Sequence, residues 1–282
     1  MLSSKLQRLP PHVYFVISAI FHYLGPSFAV LLFAKIPVDG VAWMRIVAAA
    51  LIFAAWRRPF RTFSNTNKNS KLLIIGLGII FALMNYSFYF AISYLPLGTV
   101  AGIEFLGPIA VAIVSVKNVR NYIALAFTSL GVYLLTDVRL EGDAVGFMWA
   151  FLNMLLFTAY ILLAHRLTMS DPKTKAIDRL AISMLFASVT IFPLGFKSAS
   201  LAFTEPLLLL AGIGVGISSS VIPYALDQLA MAKLSPAIYS IMIAILPAMA
   251  FFIGFLVLGQ QPQILELIAL ASIIIGLLIT KR

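Results

Sequence analysis

The chain has 282 residues, of which 62% are hydrophobic and 11% charged, with a mean hydropathy of +1.03 and a net charge of +10. Soluble domains average about 45–50% apolar and about 25% charged residues, so a water-soluble enzyme or binding module is excluded and an all-α integral membrane protein is expected. The cations are spread between apolar runs, which argues against a nucleic-acid partner, and the absence of cysteine removes disulfides, thiolate metal sites and cysteine nucleophiles.

Crossing about 30 Å of hydrocarbon takes about 20 helical residues, and ten runs reach or approach that length. The first, 13–34, follows Lys5 and Arg8, is too long for a signal-peptide core, and carries His22 near mid-membrane and Tyr23. The second, 38–56, holds Arg45; the third, 72–92, holds Asn85 and Tyr89; the fourth, 97–116, holds Glu104 and Pro108. The fifth, 122–136, is short. Beyond the polar stretch DVRLEGD come 144–164 with Asn153 and Tyr160, then 180–196, and 206–230 with Pro223, Tyr224 and Asp227. The last two are 236–258, with Tyr239 and Pro247, and 264–280, with Glu266.

Placing both termini in the cytoplasm puts 16 of the 20 Lys and Arg on the inner side and three on the outer, with Arg45 left inside a span. That asymmetry is the mark of cytoplasmic loops. The two halves also resemble each other. LPLGTVAGIEFLGPIAVAI aligns with LSPAIYSIMIAILPAMAFF so that Pro108 meets Pro247, and SLGVYLLT and IIIGLLIT end the fifth and tenth runs alike. Five spans per copy force the second copy to be inverted. The expected fold is therefore ten transmembrane helices in two inverted five-helix repeats, 1–137 and 138–282, around a central cavity.

Polar groups inside spans are costly and mark function by default. Counted from the outer ends, Arg45, Asn85 and Glu104 lie at one depth, roughly 10 Å, and Asn153 lies at roughly 13 Å, so all four can face one cavity. Two readings stand for the charges. Glu104 can receive a cationic group or a proton while Arg45 receives a carboxylate, or the two can neutralise each other. Asn85 and Asn153 can hydrogen-bond a solute or only bridge helices. His22 and Glu104 are the proton-coupling candidates, with a packing role as the alternative for His22. Tyr89, Tyr160 and Tyr239, like Tyr23 and Tyr224, offer a ring and a hydroxyl to a cavity or to an interface. Pro108 and Pro247, at matching repeat positions, are candidates for gating kinks or static bends, and Pro223 also lies within a span. The glycine pairs Gly98–Gly102 and Gly212–Gly216 permit close helix contact. Asp227 and Glu266, near span ends, fit interfacial solvation or ion pairing.

No GxxxxGK[ST] loop, HExxH spacing or GxSxG elbow occurs, so ATP use through a P-loop, zinc hydrolysis and α/β-hydrolase chemistry lack their parts. No catalytic residue, metal site or cofactor is expected.

GIEFLGPIAVAI, SSSVIPYALDQLAMAKLSPA and ILPAMAFFIGFLVLGQQP resemble the EamA type of the drug/metabolite transporter superfamily, most of all its bacterial threonine/homoserine exporter group. The likeness runs through the chain and is strongest at 84–136 and 218–270. It implies a bundle in the bacterial inner membrane that exports amino acids or related metabolites through a central cavity, with Glu104 matching the group's EFxGP glutamate. Two positions depart from the group's pattern. LEPA and LGE are replaced here by Leu246 before Pro247 and by Gln260 after Gly259, so two carboxylates are missing. The expectation is a secondary exporter of threonine- or homoserine-like amino acids working by alternating access, with lipid and protons as further partners. The rivals are a carrier of anionic or phosphorylated metabolites or drugs, and a non-transporting membrane assembly protein. The oligomeric state is left open.

Overall fold

A computed structural model describes residues 10–57, 59–115, 118–137, 144–170, 174–231, 233, 242–243 and 245–279. Among these residues the chain is helical, without strands. In order the helices are α1 (Pro11–Leu32), α2 (Val38–Arg57), the short α3 (Pro59–Asn65), α4 (Lys68–Tyr94), α5 (Leu97–Glu104), α6 (Leu106–Ser115), α7 (Val119–Asp137), α8 (Ala144–Ser170), α9 (Ala176–Ala199), α10 (Pro206–Gly216), α11 (Ile222–Met231), α12 (Ile245–Leu258) and α13 (Ile264–Ile279). A 3₁₀ turn, Ser200–Thr204, follows α9, and a π-helical turn, Ile217–Val221, joins α10 to α11.

Among the described residues, six helical stretches are long and apolar enough to cross a membrane, and four shorter apolar helices accompany them. Large apolar side chains point outward along their length, including Leu72, Leu155, Val189, Leu207 and Ile264. Such a surface is stable against lipid and not against water. The protein is a multi-pass membrane protein.

Local sequence explains where the helices begin and break. Pro11 starts α1 at a position that needs no intrahelical N–H. Asn67 accepts from Ser70 N at the head of α4, a side-chain cap. Glu266 reaches back to Gln263 N at 2.8 Å, closing the first turn of α13. Of the two readings for Glu266, solvation or ion pairing at a span end, solvation does not hold, because Glu266 is buried in the first turn and acts as a cap. The fourth apolar run, read as one span, is two helices. Pro108 has no N–H for the carbonyl of Glu104 and its ring crowds that oxygen, so α5 ends at Glu104 and α6 resumes at Leu106.

Pairing in the bundle follows one scheme. The most extensive contacts are α4 with α8, α2 with α9 and α7 with α13; α1 packs on both α11 and α12, α5 on α8 and α12, and α2 on α10. Arg57, in the last turn of α2, donates from Nε to Asp178 Oδ1 at 2.7 Å in the first turn of α9, each charge opposing its own helix dipole. At the opposite end Trp43 packs edge-on to Phe192, Phe196 and Phe203. Close backbone approach sets the centre. A Cβ on Gly25 of α1 would fall 2.5 Å from Ser219 N in the π-helical turn, so only glycine lets these segments touch.

Candidate functional site

A cavity of about 80 Å³ lies where α1, α2, α4, α5, α8, α11 and α12 converge. His22, Arg45, Asn85, Glu104 and Asn153 all line it, along with Tyr23, Tyr224 and apolar side chains that include Phe88, Phe157 and Leu246. Four polar residues from four separate spans thus come to one place with His22.

Arg45 is 4% exposed and is held by the opposite half of the chain. Its Nε donates to Ser220 Oγ at 3.0 Å and its Nη2 to Ser219 O at 3.2 Å. The guanidinium carbon lies 5.0 Å from the centroid of the Tyr89 ring, and the Tyr89 hydroxyl is 3.4 Å from Ser219 Oγ. The helix chemistry behind this grip is legible residue by residue. In a regular α-helix Ser219 O would accept from the N–H of residue 223, which is proline and has none. The helix widens instead, with Ile222 N donating to Ile217 O, and Arg45 takes a share of the carbonyl at Ser219. Pro26 in α1 likewise has no N–H for the carbonyl of His22. Pro26, Pro108 and Pro223 therefore break the regular bonding pattern at His22, Glu104 and Ser219, all beside the cavity.

Glu104 is half-buried at the broken end of α5. Asn153 Nδ2 donates to Glu104 Oε1 at 3.2 Å, while Asn153 Oδ1, fully buried, has no hydrogen-bond partner. The described ion pairs are His22–Asp227 and Arg57–Asp178. Arg45 and Glu104 share a cavity without pairing, so mutual neutralisation by a direct ion pair is not the arrangement found. Asn85 turns its amide back to Phe81 O at 2.7 Å, which leaves its carbonyl oxygen for the cavity side.

The tyrosines separate. Tyr89 packs under Arg45, Tyr23 and Tyr224 line the cavity, and Tyr160 packs at a tilt against Phe81, 5.9 Å between centroids, outside the lining. Tyr239 lies outside the described residues. Pro247 is buried in the first turn of α12, next to the cavity-lining Leu246. Gln260 accepts from Leu97 N at 3.2 Å, so its amide caps α5, the helix that ends on Glu104. An amide suffices for that bond. Sequence reasoning did not single out Ser219 and Ser220; the pattern SSSVIP, a serine four residues before a proline within a span, was the available signal.

Residues 144–282 match the profile of the EamA-like transporter family. The threonine/homoserine exporter RhtA of Salmonella typhimurium strain LT2 is 29% identical over 254 residues, covering 89% of this chain and 84% of its own. The protein of the same name from Escherichia coli strain K12 is 28% identical over 288 residues, covering 97% and 92%. A solved structure described only as a crystal structure of a protein superposes over 95% of this chain and 97% of its own with a TM-score of 0.60, at 14% identity, and establishes a shared fold. With its EamA-like half and relatives along nearly its whole length, the chain is a membrane transporter.

Proposed function

We propose that the protein is a secondary transporter that exports amino acids of the threonine and homoserine kind by alternating access. The observation that carries this reading is the cavity with one buried cation and one carboxylate that do not touch. Arg45 has five N–H donors, of which two are engaged within the protein. Glu104 has an unused carboxylate oxygen beside the orphaned Asn153 Oδ1. An α-amino acid presents a carboxylate to the first and an ammonium to the second, and both interactions are charge-assisted. RhtA relatives named for threonine and homoserine export support the same solute class.

Ten spans in two inverted repeats suit this role. Supporting them is a pairing scheme that repeats when each helix is exchanged for its counterpart: α4–α8 corresponds to α1–α11, α5–α8 to α1–α12, and α4–α9 to α2–α10. α2–α9, α5–α12 and α7–α13 each join counterpart helices. The cavity then lies between the copies, where rocking exposes it alternately. Cation placement favours both termini in the cytoplasm of a bacterial inner membrane. A carrier of phosphorylated anions would surround its solute with cations, and the described lining contains one, Arg45.

Counterflow in proteoliposomes tests the reading. Vesicles loaded with unlabelled threonine or homoserine should accumulate the labelled amino acid, and neither the carboxamide nor the N-acetyl derivative should compete. Equal competition by either derivative sinks the two-ended site. Absence of exchange across a panel of amino acids, from folded protein, sinks the amino-acid class.

A further inference from the structure

Beside the cavity stands a second polar cluster that solute recognition does not use. Asp227 of α11 faces α1. Ser18 Oγ is 2.6 Å from Asp227 Oδ1 and 3.1 Å from Pro223 O, and His22 Nδ1 is 3.9 Å from Asp227 Oδ2. His22 Nδ1 is buried with no hydrogen-bond partner. The two side chains are partly exposed, 27% for His22 and 16% for Asp227. Asp227 does not line the solute cavity, whereas His22 does.

The spacing carries the argument. At 3.9 Å His22 Nδ1 and Asp227 Oδ2 are too far apart for a hydrogen bond. One proton placed on His22 Nδ1 turns that gap into a charge-assisted contact whose preferred length is about 2.7–2.9 Å. Closing it takes a movement of roughly 1 Å between side chains carried by α1 and α11. These helices belong to opposite halves of the chain and already pack together, with Gly25 of α1 against Ser219 at the head of the same segment.

We propose that His22 and Asp227, with Ser18 fixing the carboxylate, form a proton-binding site, and that loading it draws α1 onto α11 and links proton movement to solute movement. The inference rests on the alternating-access reading for its link to transport. The proton comes from water on one side, resides between Nδ1 and Oδ2, and leaves to water on the other. Other groups set its surroundings. Arg45 of α2 acts electrostatically on His22, Tyr160 of α8 and Tyr224 of α11 interact with Asp227, and Glu104 of α5 interacts with Tyr23 and Tyr224. From α9, Asp178 is paired with Arg57 and Arg179 stands next to it; Tyr14 of α1 is 3.5 Å from Lys233 Nζ. Tyr89 of α4 lies beneath Arg45.

Asp227→Asn in the full chain tests the site in proteoliposomes with labelled threonine. Counterflow should stay within about twofold of wild type, while accumulation driven by an imposed pH gradient should fall about tenfold or more, the loss expected when a charge-assisted hydrogen bond is removed. Asp227→Glu should restore the driven component. Brisk wild-type counterflow that ignores a pH gradient overturns the proposal and leaves the transport reading standing. Driven accumulation that survives Asp227→Asn, or counterflow lost in proportion to it, also overturns it. A second measurement needs no solute. The melting temperature of wild type should gain on that of Asp227→Asn as the pH falls from about 7 to about 5, the range in which histidine charges; parallel curves overturn the proposal. If Asp227→Asn does not fold, Ser18→Ala serves in both measurements. It should shift the pH midpoint of driven flux, and an unmoved midpoint overturns the site.

Discussion

Arg45 reaches the cavity already held on three sides, by Ser219 O, Ser220 Oγ and the Tyr89 ring, whereas Glu104 across from it has one donor, Asn153, whose own oxygen is unpartnered. Both groups are costly to bury, yet only the cation is supported at several points by the protein. A guanidinium fixed in this way presents its remaining donors in a set direction and loses little freedom when a carboxylate arrives. The acidic end is under-satisfied until a donor enters. On the proposed reading the difference assigns solute orientation to Arg45 and the sensing of occupancy to Glu104 and Asn153.

The largest expected effect falls on the supported end. Arg45→Met removes a hydrogen-bonded charge contact worth about 2–5 kcal/mol, so half-saturation for threonine in counterflow should rise about 100-fold. An unaltered half-saturation would mean that the fixed cation serves the bundle alone. Glu104→Gln keeps the shape and the bond to Asn153 while losing the charge. Exchange should fall about tenfold, and the N-acetyl derivative should now compete. Failure of that derivative to gain ground would remove Glu104 from ammonium recognition. The smallest effect tests the support itself. Ser220→Ala deletes one hydrogen bond to Arg45, about 1 kcal/mol, for an expected fivefold weakening at about constant maximal exchange. A loss as large as that of Arg45→Met would show that the cation's orientation matters as much as its charge.

Several of these features are legible from sequence because they are costly wherever they fall. An arginine, a glutamate and two asparagines within apolar runs demand partners in lipid, and their similar distance from the outer ends placed them at one depth. The break at Glu104 was readable in Pro108, though the run was taken as one span because hydropathy does not register a missing N–H. The role of Gln260 was not readable. Without its contact to Leu97 N it stands out only as a missing carboxylate, while in the fold it is a cap. Asp227 was assigned to a span end because its partners Ser18 and His22 lie 209 and 205 positions away.

By itself the sequence determined the solvent and the secondary structure: 62% hydrophobic residues in runs of span length can only be stabilised as lipid-facing helices, since each helix satisfies its own backbone. It also placed Arg45, Asn85 and Asn153, all buried in the fold, within apolar runs. Tertiary structure alone decided who their partners are. Hydropathy is a property of one helix, whereas the grip of Ser219 and Ser220 on Arg45, the separation of Arg45 from Glu104 and the meeting of His22 with Asp227 depend on how helices from the two halves pack against each other.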